Sequence, residues 1–487
     1  MKTAIIGSGI GGLITALYLS KNGYDVTIFE KNEEAGGRLS FVKHGDYKVD
    51  RGPTIVLLPD MLKEILTEVG IDLSKLDLVR CDPLYRLSYR DGRSFSKWSD
   101  LAEQLAEISA KFPGEENNFN RYLKEMEFRF TEGKKAFLDR DFIKKRDFWN
   151  GPNIQTLLKL KAYQTVKSQA KQYFNDPMMQ EAFSFQTLYI GGAPFKSPAL
   201  YSLVPFSEHF HGVWYVKGGY ASLVSILVSE LEERGVTLSF NSNVTEILCS
   251  KKRCVGVTVE NRQHLFDQVV YNGDFPHIKE LLPEVKMKKK FVPSSGCLLL
   301  YLGLSKIYEN NVIHQFLMSD DLQQHMEDVF VHKTLPKDPA IYTFHPSIID
   351  DSLAPKGHGV LYGLIPVPAS LDIDWDNIDN YVEQIITEIE KRGFPNLRDH
   401  IVWKEIRTPK DSHVDGLYQG GSFGIAPTLT QSGVFRPQVK PFDYENLYVV
   451  GASIHPGGGI PIVMQGAKLL ANYILTEARE KSYEEVR

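Results

Sequence analysis

The chain has 487 residues, more than one hydrophobic core usually serves, so two or more domains are expected. Its 56 basic and 61 acidic residues nearly balance, which gives no footing for nucleic-acid binding. Cys81, Cys249, Cys254 and Cys297 form no C-x-x-C pair and no metal-ligand spacing, so a cytoplasmic protein with reduced thiols and no bound metal is expected.

The opening stretch MKTAIIGSGIGGLITALYLSKNG is apolar, but glycines interrupt it and no small-residue cleavage site follows, which argues against a secretory signal. KTAII reads instead as a buried strand. Gly7, Gly9 and Gly12 then stand in G-x-G-x-x-G spacing, and LITALYLSK continues at helical period to a stop at Gly23. DVTIF makes a second strand that ends at the acid Glu30. This order of elements is the βαβ fingerprint of dinucleotide binding. Gly7 permits the tight turn, Ser8 and Gly9 bring backbone close to a pyrophosphate, Gly12 lets helix pack on strand, and Glu30 accepts from a ribose hydroxyl.

Next, EEAGGRLSF places Gly36, Gly37 and Arg38 where the chain turns back toward the phosphates, with Arg38 as a cation. DRGPT follows, in which Asp50 suits either an Asx-turn or a cofactor contact. From Lys144 to Lys171 seven Lys or Arg face one acid, Asp147, and are interleaved with Phe148, Trp149, Ile154, Leu157, Leu158, Leu160 and Tyr163. That pattern predicts an interfacial helix on an anionic lipid surface, or else a solvated basic face on a core helix. Apolar runs such as Cys297–Leu304 are too short to cross a bilayer.

Further along, YASLVSILVSELEERG predicts a long amphipathic helix. VTLSF, SNVTEI, CVGVTVE and DQVVY predict strands, and LYVVGA predicts a last strand before a glycine-rich loop and a helix starting near Ile460. The cofactor domain is therefore assembled from separated pieces. The predicted division is 1–75, 206–285 and 436–487 for the cofactor domain, with 76–205 and 286–435 forming a second, substrate domain that also meets the membrane.

Taken together, GSGIGGL, Glu30, AGGRLSF, DRGPTIV and NLYVVGASIHPGGGIPIV resemble the bacterial carotenoid desaturases, FAD enzymes related to amine oxidases and protoporphyrinogen oxidase. GPTIVLLPD, AFSFQTLYIG and FGIAPTLTQSGVFRPQ are similar to those members that act on the shorter, C30-type precursors. The resemblance implies an α/β fold: a Rossmann-like FAD-binding domain built from discontinuous segments, with an α+β substrate domain. It places Val244 beside the adenine, and the flavin near a loop carrying Gly451, Ala452, Gly459 and Ile460. No cysteine falls in that loop, so the FAD is expected to be noncovalent. One departure bears on the reaction. His455 is desaturase-like, whereas the triple glycine after Pro456 is similar to the related oxygenases of terminal carotenoid methyl groups. A third possibility is a lipid carrier of this fold without redox chemistry, against which the intact fingerprint and Glu30 argue.

Desaturation needs hydride and proton removal from an unactivated carbon pair, for which the flavin supplies the hard step. Aromatic faces can steady transient positive charge, and Phe183, Phe185, Tyr189, Phe206, Phe210, Trp214 and Tyr215 are the candidates, although such residues also serve as plain core. His209, His211 and His455 are the candidates for moving a proton, with His209 and His455 the candidate catalytic residues, although a lone histidine also serves as a structural residue and no catalytic base is assigned. Burying a chain of roughly thirty carbons is worth on the order of 20 kcal/mol at about 0.8 kcal/mol per carbon. A substrate already in lipid should therefore pass directly into an apolar tunnel, with the enzyme docked peripherally on the membrane.

Overall fold

KTAII does form a strand, Lys2–Ile6, and it lies at the centre of a five-stranded sheet in which every neighbouring pair is parallel. The strand order is Leu447–Val449, Gln268–Tyr271, Lys2–Ile6, Asp25–Phe29, Thr237–Ser239. Central parallel strands are covered on both faces, which is why these segments are short and rich in Val and Ile. Helices Ile10–Lys21, Ser222–Glu233 and Ile460–Glu485 supply the cover, and the first of them is buried from Ile10 through Leu19. A three-stranded antiparallel sheet, Val244–Ser250, Arg253–Val259 and Arg262–Leu265, packs beside it. The computed structural model describes residues 1–287 and 289–485.

A second sheet of seven strands runs Ile401–Arg407, Gly296–Leu304, Gly359–Val367, Ile341–Phe344, His314–Leu317, Tyr85–Ser88, Ser94–Lys97. Its pairs are antiparallel except His314–Leu317 with Tyr85–Ser88, which is parallel. One face packs on helix Asp379–Arg392 through Val382, Ile385, Ile386 and Ile389. The other face turns toward the helical region 101–211, with Phe316, Tyr342 and Tyr362 in that cluster. The sequence boundary at 205/206 falls inside helix Leu203–His211, and Phe206 of that helix lies in the second cluster.

The basic stretch after Lys144 is not the single interfacial helix its sequence suggests. It forms three pieces, Lys145–Phe148, Gly151–Lys159 and Val166–Tyr173. Gly151 and Pro152 start a new helix capped by Asn150, and Lys161 takes a left-handed φ of 50° that ends it. Among the described residues no helix is long and apolar enough to cross a membrane.

Five buried histidines give the fold a pH signature. Burial holds His314 down to about 3 and His209, His325, His345 and His455 down to about 4. The unfolded chain protonates them below about 6.5 while the fold refuses those protons, so this contribution to stability is lost as pH falls toward 4. Asp50, Glu181 and Glu208, raised by burial to about 7, act in the opposite sense, since the fold accepts their protons first. The histidines outnumber these carboxyls by two, so the net effect of these groups is a loss of stability as pH falls from about 6.5 toward 4. The urea midpoint is expected to drop steeply between pH 6.5 and 4.5.

Candidate functional site

The turn after the first strand is shaped by contacts that only glycine allows. Gly7 has φ of 98°, and a Cβ on Gly12 would stand 2.3 Å from the Gly7 carbonyl oxygen. Gly9 caps helix Ile10–Lys21 without any side-chain acceptor, so the first-turn N–H groups of that helix are left for a ligand. Asn272, at the end of Gln268–Tyr271, donates from Nδ2 to the carbonyls of Gly7 (3.0 Å) and Gly9 (3.3 Å). Sequence reading missed this brace. Its signal was an amide immediately after a parallel strand.

Glu30 follows its strand and is only 5% exposed. Its Oε2 accepts from the Ser8 N–H (2.9 Å) and hydroxyl (2.7 Å), and its Oε1 from the backbone and side chain of Asn32. Ser8 therefore fixes the carboxylate and does not itself face the cavity. Gly7, Gly9, Glu30, Gly37, Arg38, Val244, Gly451, Ala452, His455, Gly459 and Ile460 all line one cavity of about 1020 Å³. Gly12 lies behind it, in the helix–strand contact. Arg38 is exposed and lines that cavity. It donates to the Ser422 carbonyl at 2.6 Å, and desolvation by the protein around it lowers its pKa while the charge of Asp274 opposes this.

At the far end of the cradle, Gly451, Gly457 and Gly459 take positive φ, and helix Ile460–Glu485 begins there. The loop is pinned from behind. Arg436 donates from Nη2 to the Ala452 (2.5 Å) and Ile425 (3.5 Å) carbonyls and from Nη1 to the Gln431 carbonyl (3.2 Å). Ser453 accepts from the Ile425 N–H at 3.1 Å and donates to Asp274, so its hydroxyl is spent on structure. Asp50 likewise accepts from the N–H groups of Tyr220 and Ala221 and stays off the cavity. His455 presents a ring that burial keeps neutral to about pH 4. Its Nε2 bonds the Arg140 carbonyl at 2.9 Å and its Nδ1 has no partner.

The same cavity continues between the seven-stranded sheet and the helical region, where its wall becomes aromatic. Of the aromatic candidates from sequence, Phe185 and Tyr189 line it. Phe183, Phe206 and Tyr215 are buried in core, Phe210 is exposed, and Trp214 lies off the cavity. The wall is completed by Phe316, Tyr342 and Tyr362 from three strands, with Phe316 stacked on Tyr342 at 4.9 Å and on Tyr189 at 5.8 Å. Period-two alternation in HQFL, IYTF and GVLYGLIPV was the signal for these. His209 and His211 are not on the cavity. His209 is tied to the Trp98 carbonyl at 2.8 Å, and His211 faces Asp60. Cys297 does line it, as a thiol that burial pushes up to about 12 and thus keeps protonated.

The residues fit a flavin dinucleotide: a glycine cradle with free helix N–H groups, an acid at the strand end, an arginine exposed on the cavity between, and His455, whose buried Nδ1 has no partner, at the far end. Comparison with known proteins agrees. The sequence profile described as flavin containing amine oxidoreductase matches residues 10–475. A 4,4'-diapolycopen-4-al dehydrogenase of Metabacillus indicus is 51% identical over 487 residues, covering 100% of this chain and 99% of the relative. A 4,4'-diapophytoene desaturase (4,4'-diaponeurosporene-forming) of Staphylococcus haemolyticus is 34% identical, covering 98% and 99%. Among solved structures, an oxidoreductase from Methanosarcina mazei matches with TM-score 0.66 at 17% identity, covering 97% of this chain and 100% of that one. Cyclohexylamine oxidase from Brevibacterium oxydans matches with TM-score 0.62 at 14% identity, covering 98% and 99%. These last two likenesses establish the fold.

Proposed function

The chain belongs to the flavin-containing amine oxidoreductase family, and from that premise we propose that it is a carotenoid desaturase that introduces conjugated double bonds into a C30 polyene, 4,4'-diapophytoene. It is an FAD-dependent oxidoreductase. The observation that carries the proposal is that a single cavity joins the dinucleotide cradle to an aromatic-walled lobe.

The adenosine half of FAD is assigned to Gly7–Gly12, Glu30 and Val244, the pyrophosphate to the Gly9 turn and Arg38, and the flavin to the loop from Gly451 to Ile460. When bound, FAD supplies the two-electron acceptor that carbon–hydrogen bond oxidation requires. The chain's own work is positioning and exclusion of water. Phe185, Tyr189, Phe316, Tyr342 and Tyr362 form a face along which an extended polyene lies flat, and their π-faces favour positive charge over neutral hydrocarbon. His455 is the candidate proton acceptor at this end of the cavity, its buried Nδ1 without a partner and its basicity kept low by burial. Holoenzyme mixed with liposomes containing the colourless precursor is expected to give products of progressively longer-wavelength absorption. An unchanged spectrum would contradict the proposal.

Access from lipid is part of the same reading. Trp149, Ile154, Leu158, Tyr163 and Phe435 are 43–65% exposed, and the Trp149 and Phe435 rings meet edge-on with centroids 6.0 Å apart. Lys144, Arg146 and Lys159 lie exposed in the same stretch, and the side chain of Lys145 is outside the described residues. Beneath, Phe137 and Leu200 both line the cavity and belong to the small cluster with Phe142, Phe148 and Leu160. This supports a lipid-facing entrance. Replacing Lys144, Lys145 and Arg146 by Gln is expected to weaken flotation with anionic liposomes, as is raised salt, since exposed charges are screened over about 10 Å at 0.1 M. Equal flotation under all conditions would return the stretch to ordinary surface.

A second reading has its own support. The triple glycine after Pro456 and the 51% identity to a protein named for a 4-al substrate favour oxidation at the chain end.

A further inference from the structure

Behind the aromatic wall lies a carboxyl group that neither the cofactor cradle nor the core explains. Glu208, on helix Leu203–His211, has no exposed surface. Its Oε2 accepts from Tyr85 Oη at 2.7 Å and Gln186 Nε2 at 3.3 Å, and its Oε1 has no partner. Among the described residues no cation forms an ion pair with it. Lys97 is buried nearby, with Nζ unbonded and 3.3 Å above the ring of Phe183. A glutamate kept only for packing would be replaced without cost by an amide that satisfies more bonds, because an incompletely paired buried carboxylate is expensive.

Its neighbours connect it to the cavity. Tyr85 meets Phe316 edge-on at 5.2 Å and Phe185 at 5.8 Å, and both of these rings line the cavity. Tyr189 presents its ring to the cavity and buries its hydroxyl behind it. Burial first, and then the charge of Glu208, raises the pKa of Tyr85, Tyr122 and Tyr189, so the carboxyl lies within electrostatic reach of all three.

We infer that Glu208 is a positioning residue for the reaction: its carboxylate, one aromatic layer behind the wall, orients Tyr85 and steadies positive charge on the polyene. This rests on the proposed hydride-removing reading. FAD held in the cradle would supply the acceptor for the electron pair of the carbon–hydrogen bond that breaks. The adjacent carbon gives its proton to a base at the cavity, for which His455 is the candidate, and the two carbons share a new double bond. Between those events the chain is cationic, and a fixed negative group in a water-poor site favours that state over the neutral substrate.

The groups that titrate around Glu208 are Lys97, Tyr85, Tyr122, Tyr189 and His209. Burial raises Glu208 to about 7 and lowers Lys97 to about 7, whereas His209 stays neutral above about 4 and the tyrosines stay protonated. Raising pH through 7 therefore creates the carboxylate, and turnover should rise with it.

The test compares wild-type, Glu208→Gln and Lys97→Met holoenzymes on the polyene in liposomes. Glu208→Gln is expected to lower kcat about ten- to hundredfold, with KM changed by less than about twofold, and to abolish the rise near pH 7. Lys97→Met keeps the carboxylate but removes the cation that lowers its pKa, so its rise should move to higher pH. A long-chain tertiary ammonium analogue of the polyene, a mimic of the cation, should bind the wild-type protein about tenfold or more tightly than Glu208→Gln. If Glu208→Gln keeps the wild-type kcat and pH profile, or binds the ammonium equally, the inference is overturned. Should that variant fail to fold, an unmoved pH profile in Lys97→Met overturns it instead. Failure of the underlying reading would look different, because wild-type protein would then form no conjugated product at all.

Discussion

Replacing Gly9 with valine is expected to leave a folded protein that no longer retains FAD. A Cβ at Gly9 meets only the Asn272 side chain, at 3.1 Å, and the backbone there has φ of −63°, so the substitution needs no change in the chain path. The valine methyls nonetheless occupy space at the head of helix Ile10–Lys21, where backbone N–H groups must approach the pyrophosphate. Affinity should fall at least about hundredfold, near 2.7 kcal/mol. The measurement is FAD released by acid precipitation per mole of chain, with circular dichroism to show that the fold persists. Stoichiometric FAD in a folded Gly9→Val protein would move the cofactor elsewhere. Gly12→Ala offers a contrast, because its Cβ would sit 2.3 Å from the Gly7 carbonyl oxygen, and loss of the fold itself is expected.

Arg436→Met should produce the largest loss of stability in the second half of the chain. The guanidinium is 4% exposed and donates to three carbonyls, those of Ile425, Gln431 and Ala452. It thereby ties the segment 425–436 to the glycine loop. Methionine fills much of the volume but leaves buried carbonyls without a donor, at about 1–3 kcal/mol each. A total of about 3–5 kcal/mol is expected in urea unfolding of the FAD-bound protein. Lysine should not rescue it, since one ammonium cannot span the fork that a planar guanidinium provides. An unchanged urea midpoint would show that the loop is held by other contacts.

How much of this was readable beforehand follows from how local each signal is. The strand, turn and helix from Lys2 to Lys21 are contiguous, and their glycines are dictated by backbone contacts within the same turn, so spacing alone identifies them. The last strand and the helix from Ile460 were legible for the same reason. The seven-stranded sheet was not, because its pairing is set at long range: Tyr85–Ser88 lies beside His314–Leu317, whose partner in sequence gives no hint of the other. The aromatic wall shows the consequence. The contiguous stretch 183–215 contains only Phe185 and Tyr189 of this wall, whereas Phe316, Tyr342 and Tyr362 reach the cavity from separate strands and become neighbours only once the sheet is formed. His209 was attractive as a histidine in an aromatic segment, but its place on the helix turns it to the Trp98 carbonyl, where it is a core residue. Glu208, its neighbour in sequence, drew no attention, since a lone glutamate in a helix is usually solvated.

The most direct test of the central claim follows oxygen atoms. Holoenzyme is given liposomes containing 4,4'-diapophytoene under isotopically labelled dioxygen, and the products are weighed by mass spectrometry. Desaturation along the aromatic-walled lobe should give successive losses of hydrogen pairs with no label, and turnover should persist without dioxygen when an artificial quinone reoxidises the flavin. Label in an alcohol or aldehyde at the chain end, with little action on the unconjugated precursor, would contradict the account and favour oxidation at the terminus.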